Sequence, residues 1–226
     1  MEEIEKLARR VFLVLEGAWA QLGYRLIDLK IELGIDTEGK LLIADVIDND
    51  SWRLRTRGWV EVSKQGFRDG HPLAKVEENY LRVAKLVEQF HIPRQVLVLW
   101  QGSDKDAIPR LPTIAGVDGC SFSLSGHRAT MSSLRRLEGL LRDYPDGGVI
   151  IASVGKSNGL GPVLSAHTSW PVIAVCTTMK EFPFDLWSSI RAPSGVPLLV
   201  ASDAVNAVDA ALNILGQKNP AAYADR

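Results

Sequence analysis

The sequence predicts an α/β protein, a three-layer αβα domain on a parallel sheet preceded by a smaller α+β region. Three observations carry this. From Gln95 onward, short apolar runs alternate with helical patterns, the order that builds a parallel sheet covered on both faces. The run Val149-Ile150-Ile151-Ala152 is continuously apolar, as a strand buried on both sides requires. Before His91 the pattern differs: one long amphipathic stretch, then strict alternation of apolar and polar residues. The break at His91-Ile92-Pro93-Arg94 separates residues 1–91 from residues 92–226.

Residues 3–20 read as a helix. Ile4, Leu7, Val11, Leu15 and Ala18 recur at helical spacing, and Gly23 ends the element. Leu26 to Leu33 reads as a strand, with Ile27, Leu29, Ile31 and Leu33 on one face and Asp28, Lys30 and Glu32 on the other. After a turn over Gly34–Gly39, Leu41 to Val46 reads as its hairpin partner. That pairing either brings Glu32 and Asp45 close enough to share a hard cation such as magnesium or leaves a solvated polar face. Asp48 to Ser51 is a turn. Trp52 to Asp69 is polar and irregular, with Lys64 and Arg68 near its end. Pro72 to Phe90 returns to helical spacing.

In the second region, strands are predicted near 95–100, 120–124, 149–153, 171–175 and 196–200. Helices are predicted near 131–143, 158–167, 184–190 and 203–215. Pro109 and Pro112 shorten or break any helix between the first two strands.

Composition excludes several classes. Lys and Arg total 26 against 27 Asp and Glu, for a net charge of −1, so neither nucleic acid nor an anionic membrane surface is indicated. A hydrophobic content of 46% supports a full core. No apolar run is long enough to cross a bilayer. Cys120 and Cys176 sit in apolar surroundings without metal-site spacing and read as buried free thiols of a reducing compartment. The charged start MEEIEKLARR has no apolar signal region, so the expected location is cytoplasmic. There is no Cys/His cluster for zinc and no nucleophile-elbow serine.

Three turns fall at the carboxyl ends of predicted parallel strands, where ligands bind in open α/β sheets. They are Gly102-Ser103-Asp104-Lys105-Asp106, Ser125-Gly126-His127-Arg128, and the glycine-rich Gly155-Lys156-Ser157-Asn158-Gly159 with Gly161 and Pro162 beyond it. The third is not a nucleotide-binding P-loop, because Ile150 stands where that motif needs its first glycine. Together the turns offer hydroxyls and backbone N–H groups for phosphate, Asp106 for a ribose hydroxyl, and Arg128 for an anion. His127 is of the residue type that can move a proton at physiological pH; taken alone, it reads better as a capping or merely exposed histidine. Ser103 and Asp104 read equally as helix caps, and Lys156 as a solvated lysine. Residue chemistry alone reaches an α/β protein that binds a phosphorylated small molecule and moves a proton.

A resemblance goes further. The run 155–162 (GKSNGLGP), then Thr168, Pro171-Val172-Ile173 and the run 185–195 (DLWSSIRAPSG), resembles phosphoribosylaminoimidazole carboxylases of the class that uses carbon dioxide directly, over about residues 95–216. These are the carboxylase halves of bifunctional animal purine enzymes. The runs 26–34, 44–54 and 63–69 resemble the C-terminal part of the partner half, succinocarboxamide synthetase, over about residues 4–90. The resemblance implies a flavodoxin-like carboxylase domain. It implies reversible carboxylation of 5-aminoimidazole ribonucleotide in purine (IMP) biosynthesis, with no cofactor, ATP or functional metal. It implies His127 as proton carrier, Ser103, Asp106, Ser125 and Arg128 as the phosphate and ribose grip, and the turn Gly155, Lys156, Ser157, Asn158 and Gly159 as holder of the carboxylate. The expected partners are the ribonucleotide, carbon dioxide and other copies of the chain, as a homo-octamer. The lobe that clasps ATP in the synthetase has no counterpart, so Lys30, Glu32 and Asp45 are expected as a vestigial site without ligase activity.

The chain departs from the family at Lys105, Gly126, Arg128 and Lys156, where serine, alanine, lysine and arginine are usual. Two alternatives follow: a paralogue acting on another heterocyclic ribonucleotide, and a non-catalytic nucleotide-binding scaffold.

Overall fold

A computed structural model describes residues 2–106, 110–114 and 116–224. The chain divides into two compact units between Ile92 and Pro93.

The first unit begins with helix α1 (Glu2–Gln21), closed by Gly23 at a φ of 82°. Strand β1 (Tyr24–Leu29) pairs antiparallel with β4 (Trp52–Thr56), while β2 (Leu33–Ile35) and β3 (Leu41–Ile43) form a separate short hairpin. The expected single strand over 26–33 is therefore two strands, and its first half pairs elsewhere. The reason is a bulge. Between Leu26 and Asp28 the register slips by one residue, which inverts the face of everything beyond it. Tyr24 and Leu26 are buried, Ile27 is exposed, and Leu29 returns to the core.

The expected irregular stretch after Trp52 also holds a strand. Trp52 and Leu54 of β4 are buried while Arg53 alternates outward, and the charged outward residues hid the strand in the sequence. Helices α2 (Gln65–Arg68) and α3 (Leu73–Val87) complete the unit. Its core gathers around Trp19, whose ring meets those of Tyr24, Trp52 and Phe90 edge-on at 4.7–5.7 Å.

The second unit contains β5 (Gln95–Gln101), β6 (Val117–Ser123), β7 (Gly148–Val154), β8 (Val172–Cys176) and β9 (Leu198–Ala201). They form one parallel sheet of order β6-β5-β7-β8-β9, the flavodoxin-like arrangement. Its helices are α4 (Thr130–Asp143), α5 (Leu160–Ala166), a 3-10 turn (Pro183–Leu186) running into α6 (Trp187–Ile190), α7 (Ala204–Gly216) and α8 (Pro220–Ala224). The last helix was not expected from the sequence.

Alternation along β5, β7 and β8 divides the core in two. Leu97, Leu99, Val149, Ile151, Ile173 and Val175 pack against α7 through Ala207, Ala211 and Leu215. Val96, Val98, Trp100, Ile150, Ala152 and Val172 pack against α4 and α5 through Leu137, Leu140, Leu160 and Leu164. Both faces of the sheet are thus covered, which explains the continuous apolar runs. Between β5 and β6, residues 110–114 form no helix. Residues 107–109 and 115 lie outside the described part, so the broken-helix expectation is open there. No helix among the described residues is long and apolar enough to cross a membrane.

Candidate active site

Strand order changes direction at β5, which lies between β6 and β7. At such a switch point the turns leaving neighbouring strands diverge to opposite faces and open a crevice. A cleft of about 130 Å³ lies there, lined by residues of the three turns: Gly102, Ser103 and Asp106; Ser125, Gly126 and His127; Gly155, Lys156, Ser157 and Gly159.

The turn after β5 is built on Asp106. This carboxylate is only 6% exposed. One oxygen accepts from the Ser103 N–H at 2.9 Å and the Ser103 hydroxyl at 3.1 Å; the other accepts from the Thr177 hydroxyl at 3.1 Å. Asp106 therefore braces its own turn to the turn after β8, and Ser103 Oγ is drawn toward it.

In the turn after β6, the Ser125 hydroxyl accepts from the N–H groups of His127 and Arg128 at 3.3 and 3.2 Å. These local bonds point the His127 side chain at the glycine-rich turn. Its ring lies directly against Gly159: a Cβ there would fall 2.0 Å from His127 Cε1. The turns themselves also meet, since a Cβ on Gly126 would fall 2.5 Å from Leu160 Cα. Glycine at 126, a departure from the family, is thus required by this approach. His127 is otherwise exposed, and its ring nitrogens have no hydrogen-bond partner among the described residues. Arg128 is exposed and does not line the cleft.

The glycine-rich turn follows β7. Ser157 is held at a φ of 65°, a left-handed conformation that costs a non-glycine residue about 1–2 kcal/mol. Its N–H donates to Asp185 Oδ1 at 2.7 Å. The Asn158 N–H donates to Ser188 Oγ at 2.9 Å, and the buried Asn158 side chain joins Ser189 Oγ to the Gly161 N–H. The N–H groups of Ser157 and Asn158 are therefore engaged within the chain. Those of Gly155 and Lys156 have no protein acceptor among the described residues. The Lys156 ammonium sits 3.9 Å from the centroid of the Phe182 ring.

Burial raises the Asp185 carboxyl, but the Ser157 N–H and the Thr178 hydroxyl outweigh it and hold the group below the usual aspartate range. Burial pushes the Cys120 thiol up to about 11 and also raises that of Cys176, so neither is a ready nucleophile.

In the first unit Lys30, Glu32 and Asp45 line a surface pocket of about 280 Å³, with Asp48, Asp50 and Lys64. Lys30 Nζ lies 2.8 Å from Glu32 Oε1, and this bond raises the lysine. Asp45 accepts from the Val46 N–H at 2.8 Å. Glu32 is thus paired with Lys30. Among the described residues no group of three or more His, Cys, Asp or Glu is arranged to hold a metal. A neighbouring pocket of about 400 Å³ is basic, with Lys30, Arg53, Lys64 and Arg68 on its wall; Arg53 is bonded to Asp28 and Lys64 to the Asp50 carbonyl.

Residues 115–225 match the family model of AIR carboxylase, and residues 1–87 that of SAICAR synthetase. The chain joins an AIR carboxylase domain to a SAICAR synthetase segment. Over 233 residues it is 34% identical to the "Probable multifunctional protein ADE2" of Caenorhabditis elegans, covering 96% of this chain and 54% of that protein. Over 228 residues it is 33% identical to the human bifunctional phosphoribosylaminoimidazole carboxylase/phosphoribosylaminoimidazole succinocarboxamide synthetase, covering 92% and 53%. The chain thus spans about half the length of these relatives. The fold of Treponema denticola PurE superposes with a TM-score of 0.50 at 18% identity, over 57% of this chain and 85% of that one. This supports the flavodoxin-like architecture of the AIR carboxylase domain.

Sequence reasoning missed Thr177 and Thr178, and it used Asp185 and Ser188 only as part of the run that carries the resemblance, without a role in the site. The signal was available: Thr177-Thr178 follows β8, another parallel strand whose carboxyl end faces the same edge. In the SAICAR synthetase segment the expected hairpin is present in shortened form as β2–β3; Glu32 and Asp45 flank it, with the Ala44 N–H donating to the Glu32 carbonyl at 2.9 Å.

Proposed function

We propose that the AIR carboxylase domain catalyses the reversible carboxylation of 5-aminoimidazole ribonucleotide to 4-carboxy-5-aminoimidazole ribonucleotide, in purine (IMP) biosynthesis. The observation that carries this reading is the juxtaposition of His127 with the two unengaged N–H groups of Gly155 and Lys156 at one sheet edge.

The chemistry needs little else. The ring carbon is enamine-like and attacks carbon dioxide, forming a carbon–carbon bond while one C–O π pair moves to oxygen. The N–H groups of Gly155 and Lys156 face the resulting carboxylate, as preorganised donors that need not reorient during the step. The ring carbon still carries its proton. A His127 ring nitrogen takes it as the aromatic π system is restored, and returns it in the reverse direction. Ser103 and Ser125 line the opposite wall and serve the phosphate and ribose; Asp106 acts by shaping that wall. No ATP enters this scheme, because the attacking carbon is already electron-rich. Arg128 reaches the phosphate only if the ligand extends beyond the cleft.

The Lys30, Glu32 and Asp45 cluster is assigned no ligase activity, since the segment matches only part of its family. The same reading takes the protein as a cytoplasmic homo-octamer; sedimentation in analytical ultracentrifugation tests the assembly.

The decisive experiment follows ring absorbance while the purified protein meets the carboxylated and uncarboxylated ribonucleotides. Turnover in both directions, abolished by His127→Asn, is expected. Binding without turnover would reduce the chain to a nucleotide-binding scaffold. ATP-dependent condensation with aspartate would overturn the assignment of the first unit.

A further inference from the structure

We infer that Asp185 is a positioning residue of the site: it holds Ser157 in its left-handed conformation and so aims the N–H groups of Gly155 and Lys156 into the cleft. This rests on the carboxylase reading for its kinetic consequence, though not for its geometry.

Four N–H groups, from Gly155 to Asn158, follow one another after β7. In a chain that simply continued as a strand they would point alternately to opposite sides. Ser157 instead reverses the backbone at a φ of 65°, which serine adopts only where its surroundings impose it. The imposing group is Asp185. Its Oδ1 takes the Ser157 N–H at 2.7 Å, turning that group away from the cleft. Its Oδ2 is itself fixed by the Thr178 hydroxyl at 2.6 Å, so the acceptor is anchored to the end of β8. Ser188 and Ser189, on the helical turn that follows Asp185, take the next N–H and the Asn158 amide. The segment 183–190 thus grips the outer side of the turn and leaves the inner side to a ligand. Gly159, the seat of His127, is the next residue. Displacing Asp185 therefore disturbs both the carboxylate donors and the support of the proton carrier.

The phosphate and ribose wall lies on the other two turns, so the effect separates by substrate. Asp185→Asn is expected to lower kcat/KM for carbon dioxide about 100-fold, as a displacement of about an ångström does, while KM for the ribonucleotide stays within about threefold. A structural defect would instead reduce the active fraction without altering either KM.

A double-mutant cycle reads the backbone directly. Glycine adopts positive φ without help. In a Ser157→Gly background, Asp185→Asn is expected to cost far less activity than in the native background. Equal costs in both backgrounds would overturn the inference. Should Asp185→Asn fail to fold by circular dichroism, Thr178→Val removes one bond to Oδ2 and is expected to give a smaller loss of the same kind; unaltered kinetics there would equally overturn it.

Amide hydrogen exchange of the peptide spanning Gly155–Gly159 separates this inference from the carboxylase reading. If the native protein turns over neither ribonucleotide, that reading falls. Exchange at Ser157 still decides the latch: acceleration in Asp185→Asn supports it, and an unchanged rate sinks it.

Discussion

The cleft of the second unit and the Lys30–Glu32 surface of the first arrange their polar residues in different ways. In the AIR carboxylase domain Asp106, Asn158 and Ser189 are buried, and each joins segments far apart in sequence: Asp106 to Thr177, Asn158 to Ser189. In the SAICAR synthetase segment Lys30 pairs with Glu32 two residues away, at 74% and 54% side-chain exposure. Burying a polar group is costly unless it is partnered, so a buried, cross-braced set fixes geometry. An exposed pair between neighbours fixes almost nothing. The difference distinguishes a built site from a charged surface, and it can be tested from its strongest consequence to its weakest.

The largest effect is expected at His127. Its ring is exposed and bonded to no described residue, so removing it costs chemistry and little stability. His127→Asn should lower kcat by about 10²–10⁴-fold, the usual worth of a proton carrier, with the melting temperature almost unchanged. A loss of stability in step with activity would mean that the ring is a packing element.

Next come the two glycines. Gly159→Ala drives a methyl into the His127 ring, which can swing away because it is exposed. Activity should fall with the fold intact. Gly126→Ala drives a methyl into the Leu160 backbone, which cannot swing; this overpacking should cost about 1–3 kcal/mol in chemical denaturation. The pair separates a site that fails by displacement from one that fails by unfolding. Comparable to the second is Asn158→Ala, which strands the Gly161 N–H and the Ser189 hydroxyl in the interior, at about 1–3 kcal/mol.

How much of this was legible follows the same division. The parallel sheet was legible because burial on both faces writes continuous apolar runs, as in Val149–Ala152. The turns that line the cleft were legible because strand ends are where such sheets bind ligands. Which N–H groups remain unengaged was not legible: Asp185 lies 28 residues beyond Ser157, and only folding brings it there. The role of Asp106 was half legible. A carboxylate at a strand end reads as a ligand group, yet burial and the bond to Thr177 make it a brace. In the first unit, the bulge between Leu26 and Asp28 defeated the reading, because a one-residue slip leaves the pattern intact and exchanges its faces.

Acid should expose the latch. The folded Asp185 carboxyl is held below its ordinary value of 3.8, so its contribution is fully present above that value and is lost as the pH falls through the folded one. The melting temperature of the native protein should therefore drop more steeply below that pH than that of Asp185→Asn, which has no proton to gain. Parallel curves would place the acid sensitivity elsewhere, at Asp118 for example, which Tyr144 and Arg94 also hold low.

The smallest effect is expected at Lys30 and Glu32. Attraction between them acts through water, and both side chains give up rotamer freedom to meet. Glu32→Gln should move the melting temperature by no more than about 1 °C and leave carboxylation untouched. Whatever shift remains should vanish as salt rises from about 0.01 M to 1 M, since screening shortens the reach of an exposed charge from about 30 to 3 Å. A large, salt-independent loss would show that this pair is braced in the manner of Asp106 and Asn158, and that the surface of the first unit is a built site after all.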